Sequence, residues 1–149
     1  MERISEAFRV LLWQQSKETG LSPIQIQLLI FILHHPVSQC KVSYLAEEFN
    51  MTKATISDAV KVLEQKKIIT KRTEETDSRS YIIQLSAKGK EFANKSSLFA
   101  NSLLKPVANL PAEQKDHFLF SLTNLIYQLN RAGIIQLQRM CYTCRFLGE

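Results

Sequence analysis

Residues 42–89 read VSYLAEEFNMTKATISDAVKVLEQKKIITKRTEETDSRSYIIQLSAKG, and the order of patterns in this stretch decides the fold. Ile56, Ala59, Val60 and Leu63 fall at i, i+3, i+4 and i+7, one stripe of a 3.6-residue helix, so one face of that helix belongs to a core. The outer side of its first two turns carries Lys53, Thr55, Ser57, Asp58 and Lys61, a mixture of small hydroxyls and charged groups that a groove can accept. Thr52 is placed to cap the helix and Asn50 is a good turn residue, so the helix starts with its positive end forward. The preceding run, Val42 to Phe49, sets Leu45, Ala46 and Phe49 at helical spacing, and a link of about three residues joins the two helices as one helix-turn-helix.

Beyond Lys66 and Lys67 the chain turns β-branched and basic. Ile68 to Arg72 and Tyr81 to Leu85 read as two strands, and the polar residues between them include Asp77-Ser78-Arg79. Two strands with a polar tip make a hairpin wing. An arginine at such a tip fits a narrow minor groove, and a carboxylate two residues earlier can hold the guanidinium in place. An Asp-x-Arg in a loop is by itself most often a solvated surface pair of little energy. The weight lies in the succession of helix, short turn, helix, strand, arginine-bearing tip and strand, followed by Ser86 capping another helix.

In this order the chain resembles the MarR-type winged-helix transcriptional regulators. The resemblance runs through Tyr44-Leu45-Ala46-Glu47, the segment Met51 to Ser57, Leu63-Glu64, Asp77-Ser78-Arg79-Ser80 and the segment Gln84 to Gly89. It implies a dimeric DNA-binding repressor or activator with a recognition helix over Thr52 to Lys66 and a wing arginine at Arg79. Lys67 departs from the pattern, because the family commonly has glycine there to end the recognition helix.

With 149 residues and 45% hydrophobic content, the chain has the material of one packed globular domain with extensions. A net charge of +5 favours anionic partners without selecting nucleic acid. The most apolar run, Ile24 to Leu33, is too short to span a membrane and is capped by Ser22 and Pro23, so it reads as a buried helix. The N-terminus has no signal-peptide pattern, and the expected location is the cytoplasm. His34 and His35 end that run before Pro36, where an imidazolium suits the negative helix end.

The flanks carry more apolar surface than a wing domain uses. Ile4, Phe8, Leu11 and Leu12, adjoined by Trp13, mark an N-terminal helix over residues 2–18. Phe92, Phe99 and Leu103 mark a helix from Ser86 to Leu104 that Pro106 is expected to stop, and Phe118, Leu122, Leu125 and Leu129 mark another from Ala112 to Asn130. Packing against a second copy accounts for these faces, and a two-fold dimer sets two recognition helices about one turn of DNA apart over a roughly palindromic operator.

The remaining individual feature is Cys141-x-x-Cys144, with Cys40 far upstream. The spacing suits a redox pair or half of a thiolate metal site, and equally two reduced packed thiols. A thioredoxin-type enzyme would need a strand-to-helix context that is missing here. Cys40, His34, His35 and His117 are the other Cys and His residues, and none has metal-ligand spacing.

The expected architecture is therefore mainly α with a small β-hairpin wing. Residues 1–35 form N-terminal dimerisation and scaffold helices, 36–88 the winged helix-turn-helix, and 89–149 the C-terminal dimerisation helices with the Cys-x-x-Cys tail. The expected function is sequence-specific transcriptional regulation, as a repressor released by a small molecule or by a redox or metal signal, with no catalytic residues and no required cofactor. Double-stranded DNA would meet Thr52, Lys53, Thr55, Ser57 and Lys61 on the helix, and Arg72 and Arg79 on the wing, with Asp77 orienting Arg79. Cys141 and Cys144 are candidate redox or metal residues. The alternative is a winged-helix protein-interaction module without DNA binding, which would have no need of cations on both helix and wing.

Overall fold

The computed structural model describes residues 2–73 and 81–135. In chain order the elements are α1 (Glu2–Thr19), α2 (Pro23–His34), α3 (Val42–Glu48), α4 (Lys53–Gln65), β1 (Ile69–Thr73), β2 (Tyr81–Leu85), α5 (Ala87–Ser97), α6 (Asn101–Ala108) and α7 (Ala112–Arg131), with 3-10 turns at Val37–Gln39 and Leu98–Ala100. The chain divides into two compact units, Met1–Leu104 and Lys105–Glu149, with the boundary inside α6.

α2 is the centre of the first unit. Ser22 caps it through a reciprocal pair, its hydroxyl accepting from Gln25 N while Gln25 Oε1 accepts from Ser22 N at 2.9 Å, and Pro23 opens the first turn. Ile26, Leu28, Leu29, Phe31 and Ile32 are all buried, so most of the circumference of α2 is covered by its neighbours. The same core takes Leu12 from α1, Leu45 and Ala46 from α3, Ile56 and Leu63 from α4, Ile69 and Ile83 from the strands, and Ala93 from α5. The helices at residues 2–34 and the start of α5 are thus built into the core of the helix-turn-helix.

A two-stranded hairpin alone is marginal in water. Here β1 and β2 pair antiparallel, from Ile69 opposite Leu85 to Thr73 opposite Tyr81, and their inner residues Ile69 and Ile83 are buried. Ile83 N also donates to Cys40 O at 2.8 Å, which fastens β2 to the segment leading into α3.

Two helix ends need a left-handed residue. After α3, Asn50 has φ +51° and Met51 N reaches back to Ala46 O at 2.9 Å. After α4, Lys67 has φ +57°, Lys67 N donates to Glu64 O at 2.8 Å, and Ile68 N donates to Leu63 O at 3.0 Å. The lysine at the family's glycine position therefore keeps the helix-ending turn, and it does so in a conformation costly for an L side chain. Lys67→Gly is expected to raise stability by about 0.5–1 kcal/mol, the relieved steric cost exceeding the added freedom of the unfolded glycine. Urea unfolding checks this, and an unchanged or lowered midpoint refutes it.

Two sequence expectations change. The helix expected from Ser86 to Leu104 is broken, because α5 ends at Ser97 and a 3-10 turn intervenes before α6. In that turn Phe99 packs edge-on against Phe8 of α1, ring centroids 5.1 Å apart. Pro106 does not stop the next helix but lies within α6, where its missing N–H removes one bond in a final turn that runs to Ala108. On α1, Leu12 is buried and Phe8 partly so, whereas Ile4 and Trp13 are exposed. In the second unit α7 has no buried residue, and Phe118, Leu119, Phe120, Leu125 and Ile126 are all exposed.

Candidate nucleic-acid interface

The outer face of α4 is fixed by what its inner face buries. Ile56, Ala59, Val60 and Leu63 are buried, as their spacing requires, which turns Lys53, Thr55, Asp58 and Lys61 to solvent and leaves Ser57 half-buried. Thr52 is the N-cap, with its hydroxyl accepting from Thr55 N at 3.1 Å and lying 2.8 Å from the Thr55 hydroxyl. The two threonines thus form one hydroxyl cluster at the positive end of the helix. That end can receive phosphate or base-edge acceptors, with Lys53 beside it. The four residues Phe49 to Thr52 link α3 to α4 in a turn closed by the Asn50 conformation, so the two helices are held as one unit.

The wing strands are braced against the same helix. Lys71 on β1 makes a 2.6 Å ion pair with Glu64 of α4, and its ammonium lies 4.8 Å from the centre of the Tyr81 ring on β2. Sequence spacing singled out Arg72 and passed over Lys71. Arg72 is exposed opposite Ile82 and is engaged within the molecule. The cation carried inward, Lys71, is a positioning residue for the hairpin. Asp77 and Arg79 fall outside the described residues, as do Cys141 and Cys144.

The base of the wing is seated on α5. Ser86 caps this helix by accepting from Gly89 N at 3.0 Å, and its hydroxyl lies 2.9 Å from both Lys67 O and Ile68 O, to one of which it donates. Ser86 N also donates to Ile68 O at 3.0 Å. Gly89 has no room for a side chain, since an added Cβ would lie within 1.9 Å of Ile68 O. Ser86 and Gly89 were legible in the sequence as a cap and as part of the family pattern; their contact with the end of α4 was not.

The other sequence-marked groups have structural roles. His35 caps α2, its Nδ1 lying 2.8 Å from Phe31 O and its ring stacking on Phe31 at 3.7 Å. Cys40 is buried with its thiol 3.5 Å from Pro36 O, and burial pushes its pKa up, so it is held as a neutral thiol. Among the described residues no group of three or more His, Cys, Asp or Glu side chains is placed to hold a metal.

The MarR family model matches residues 19–80, from the end of α1 to the residue before β2. Over that segment the chain is similar to the MarR family. A Bacillus subtilis (strain 168) protein described as the uncharacterized HTH-type transcriptional regulator YdgJ is 25% identical over 113 residues, 75% of this chain and 68% of its own length. The S. aureus MepR–DNA complex matches with a TM-score of 0.70 at 22% identity, over 86% of this chain and 94% of that one. Streptococcus pneumoniae FabT in complex with DNA matches with a TM-score of 0.70 at 22% identity, over 88% and 95% of the two chains. At these identities the two structures establish the shared winged-helix fold. The similarity to the MarR family model and to a helix-turn-helix transcriptional regulator supports a DNA-binding transcriptional regulator.

Proposed function

We propose that the protein works as a two-fold homodimer whose paired α4 helices read the half-sites of a roughly palindromic operator, while the wings reach the flanking minor grooves. The observation that carries this reading is the division of α4 into a wholly buried stripe and an exposed face bearing hydroxyls, Lys53 and Lys61 behind a threonine cap. The groups proposed to meet DNA on the helix are Thr52, Lys53, Thr55, Ser57 and Lys61; on the wing they are Arg72 and Arg79, the latter oriented by Asp77. Structural neighbours of the same fold are DNA complexes, which supports placing the duplex against this face. Phe118, Leu119, Leu125 and Ile126, exposed and within about 120° of one another on α7, support a second copy, since an unpartnered apolar helix face is what an interface buries.

Repression relieved by a signal completes the reading. A cavity of about 320 Å³ between the end of α2, Cys40, β2 and Lys90 of α5 offers a small molecule apolar walls and one cation, next to the strand that carries the wing. Cys141 and Cys144 are the alternative point of entry, through redox or metal chemistry. No helix among the described residues is long and apolar enough to cross a membrane, and the proposed place of action is the cytoplasm.

Selection of bound fragments from the source genome tests the reading, with an inverted repeat expected and failure to enrich any sequence counting against it. On that operator Arg79→Ala should weaken binding and flatten the slope of log affinity against log salt by about one unit. An unchanged affinity and slope would remove the wing from the mechanism.

A further inference from the structure

On a helix with 3.6 residues per turn, Asp58 stands roughly 150° from the centre of the stripe made by Ile56, Ala59, Val60 and Leu63. It therefore points almost straight away from the core, sharing the outermost line of α4 with Ala54, Lys61 and Gln65, all exposed. Helical side chains lean toward the N-terminus, so Asp58 lies over the turn occupied by Ala54, whose methyl leaves that surface open. The Asp58 carboxylate makes no hydrogen bond or ion pair among the described residues, and Lys61, one turn further on, is not paired with it. A bare carboxylate in the middle of a face meant for a polyanion repels phosphate, and only a donor can offset that repulsion. In the major groove the base-edge donors are the cytosine N4 and adenine N6 amino groups. Adenine sets its N7 acceptor beside that donor, whereas cytosine does not.

We infer that Asp58 is a specificity-determining residue that selects a cytosine in each half-site by accepting from its N4 amino group, and that it suppresses binding to sequences lacking this base. This rests on the reading of α4 as the DNA-reading helix. The short side chain reaches a base edge because Ala54 lets the duplex approach, and Lys61 on the same line supplies a phosphate contact that holds the register.

The test is selection from a randomised duplex pool with the full-length wild-type protein and with Asp58→Ala and Asp58→Asn. Titrations of each protein then follow, against the wild-type consensus and against the same duplex with the cytosine pair changed. Wild-type protein should require cytosine at one position per half-site and lose roughly tenfold in affinity when that pair is changed. In Asp58→Ala that position should become indifferent while all others keep their preference, and affinity for random duplex should rise. Asp58→Asn should shift the position toward adenine, the base whose edge matches an amide. A consensus that Asp58→Ala leaves unaltered at every position, with affinity changed only uniformly, would overturn this inference alone. A pool from which the wild-type protein enriches nothing would overturn the DNA-reading assignment and this inference with it. Because Asp58 is exposed and makes no pair among the described residues, both variants should melt with the parent, so the binding data can be read directly.

Discussion

Gly89→Ala is expected to destabilise the protein by about 3 kcal/mol or more, near the upper end of single substitutions. The added methyl has to displace Ile68 O, a backbone atom that already accepts from Ser86 N and lies within reach of the Ser86 hydroxyl. A flexible side chain could swing aside, but this carbonyl cannot, because Ile68 N is committed to Leu63 O in the turn ending α4 and the Ile68 side chain is buried. The clash therefore pushes α5 off the end of α4 and loosens the start of β1. Denaturant unfolding should show a large fall in midpoint, with operator binding lost in parallel. A midpoint within about 0.5 kcal/mol of the parent would mean that α5 is not seated as described.

The second large effect is expected from Leu125→Asp on α7. Leu125 is exposed and lies on a helix with no buried residue, flanked by Phe118 and Ile126, so in the isolated chain a carboxylate there reaches solvent. If a second copy covers this face, the charge must be buried without a partner, which a dimer interface does not tolerate. Sedimentation should show the assembly fall from twice the 17.1 kDa chain mass to the chain mass. Operator affinity should drop about 100-fold or more as the second half-site contact ceases to be intramolecular. Leu125→Met, apolar and of similar volume, should retain both properties. A dimer that survives Leu125→Asp would place the two-fold contact elsewhere.

The stretch from Val42 to Leu85 was legible because each of its signals is local. The stripe from Ile56 to Leu63, the caps at Thr52 and Ser86, and the strand at Tyr81–Leu85 all appear where periodicity and side-chain chemistry place them. What was not legible depends on contacts distant in sequence. The break after Ser97 lies where Phe99 packs on Phe8, a pairing 91 residues apart that no local pattern announces. Lys71 became the inward cation because strand pairing sets it beside Tyr81 and within reach of Glu64, whereas the sequence reading chooses Arg72 and passes over Lys71. Pro106 shows the limit of a residue-type rule, since a missing N–H weakens a short helix without having to end it. Among the site residues, the helix groups could be placed from their spacing opposite a buried stripe. Arg79, Asp77, Cys141 and Cys144 lie outside the described residues, and their roles stand on the sequence reading.

The ties on α4 gather at one end. Lys66 Nζ donates to Gly20 O at 2.6 Å across 46 residues, Lys88 Nζ approaches Lys66 O at 3.4 Å, and Ser86 closes on Lys67 O and Ile68 O. The opposite end carries the Thr52 cap, where among the described residues the helix is held by the burial of Ile56 rather than by such hydrogen bonds. The helix is thus pinned by hydrogen bonds at its root and seated along its length on the core, so it can turn only as a rigid lever together with α3. Its 13 residues make an arm of about 20 Å, so a tilt of about 5° at the root swings the tip by nearly 2 Å, on the order of half a base-pair step. A small disturbance where α1 turns into α2 is thereby magnified at the far end of the lever, which makes the Lys66–Gly20 link a gearing point between the N-terminal helices and the groove.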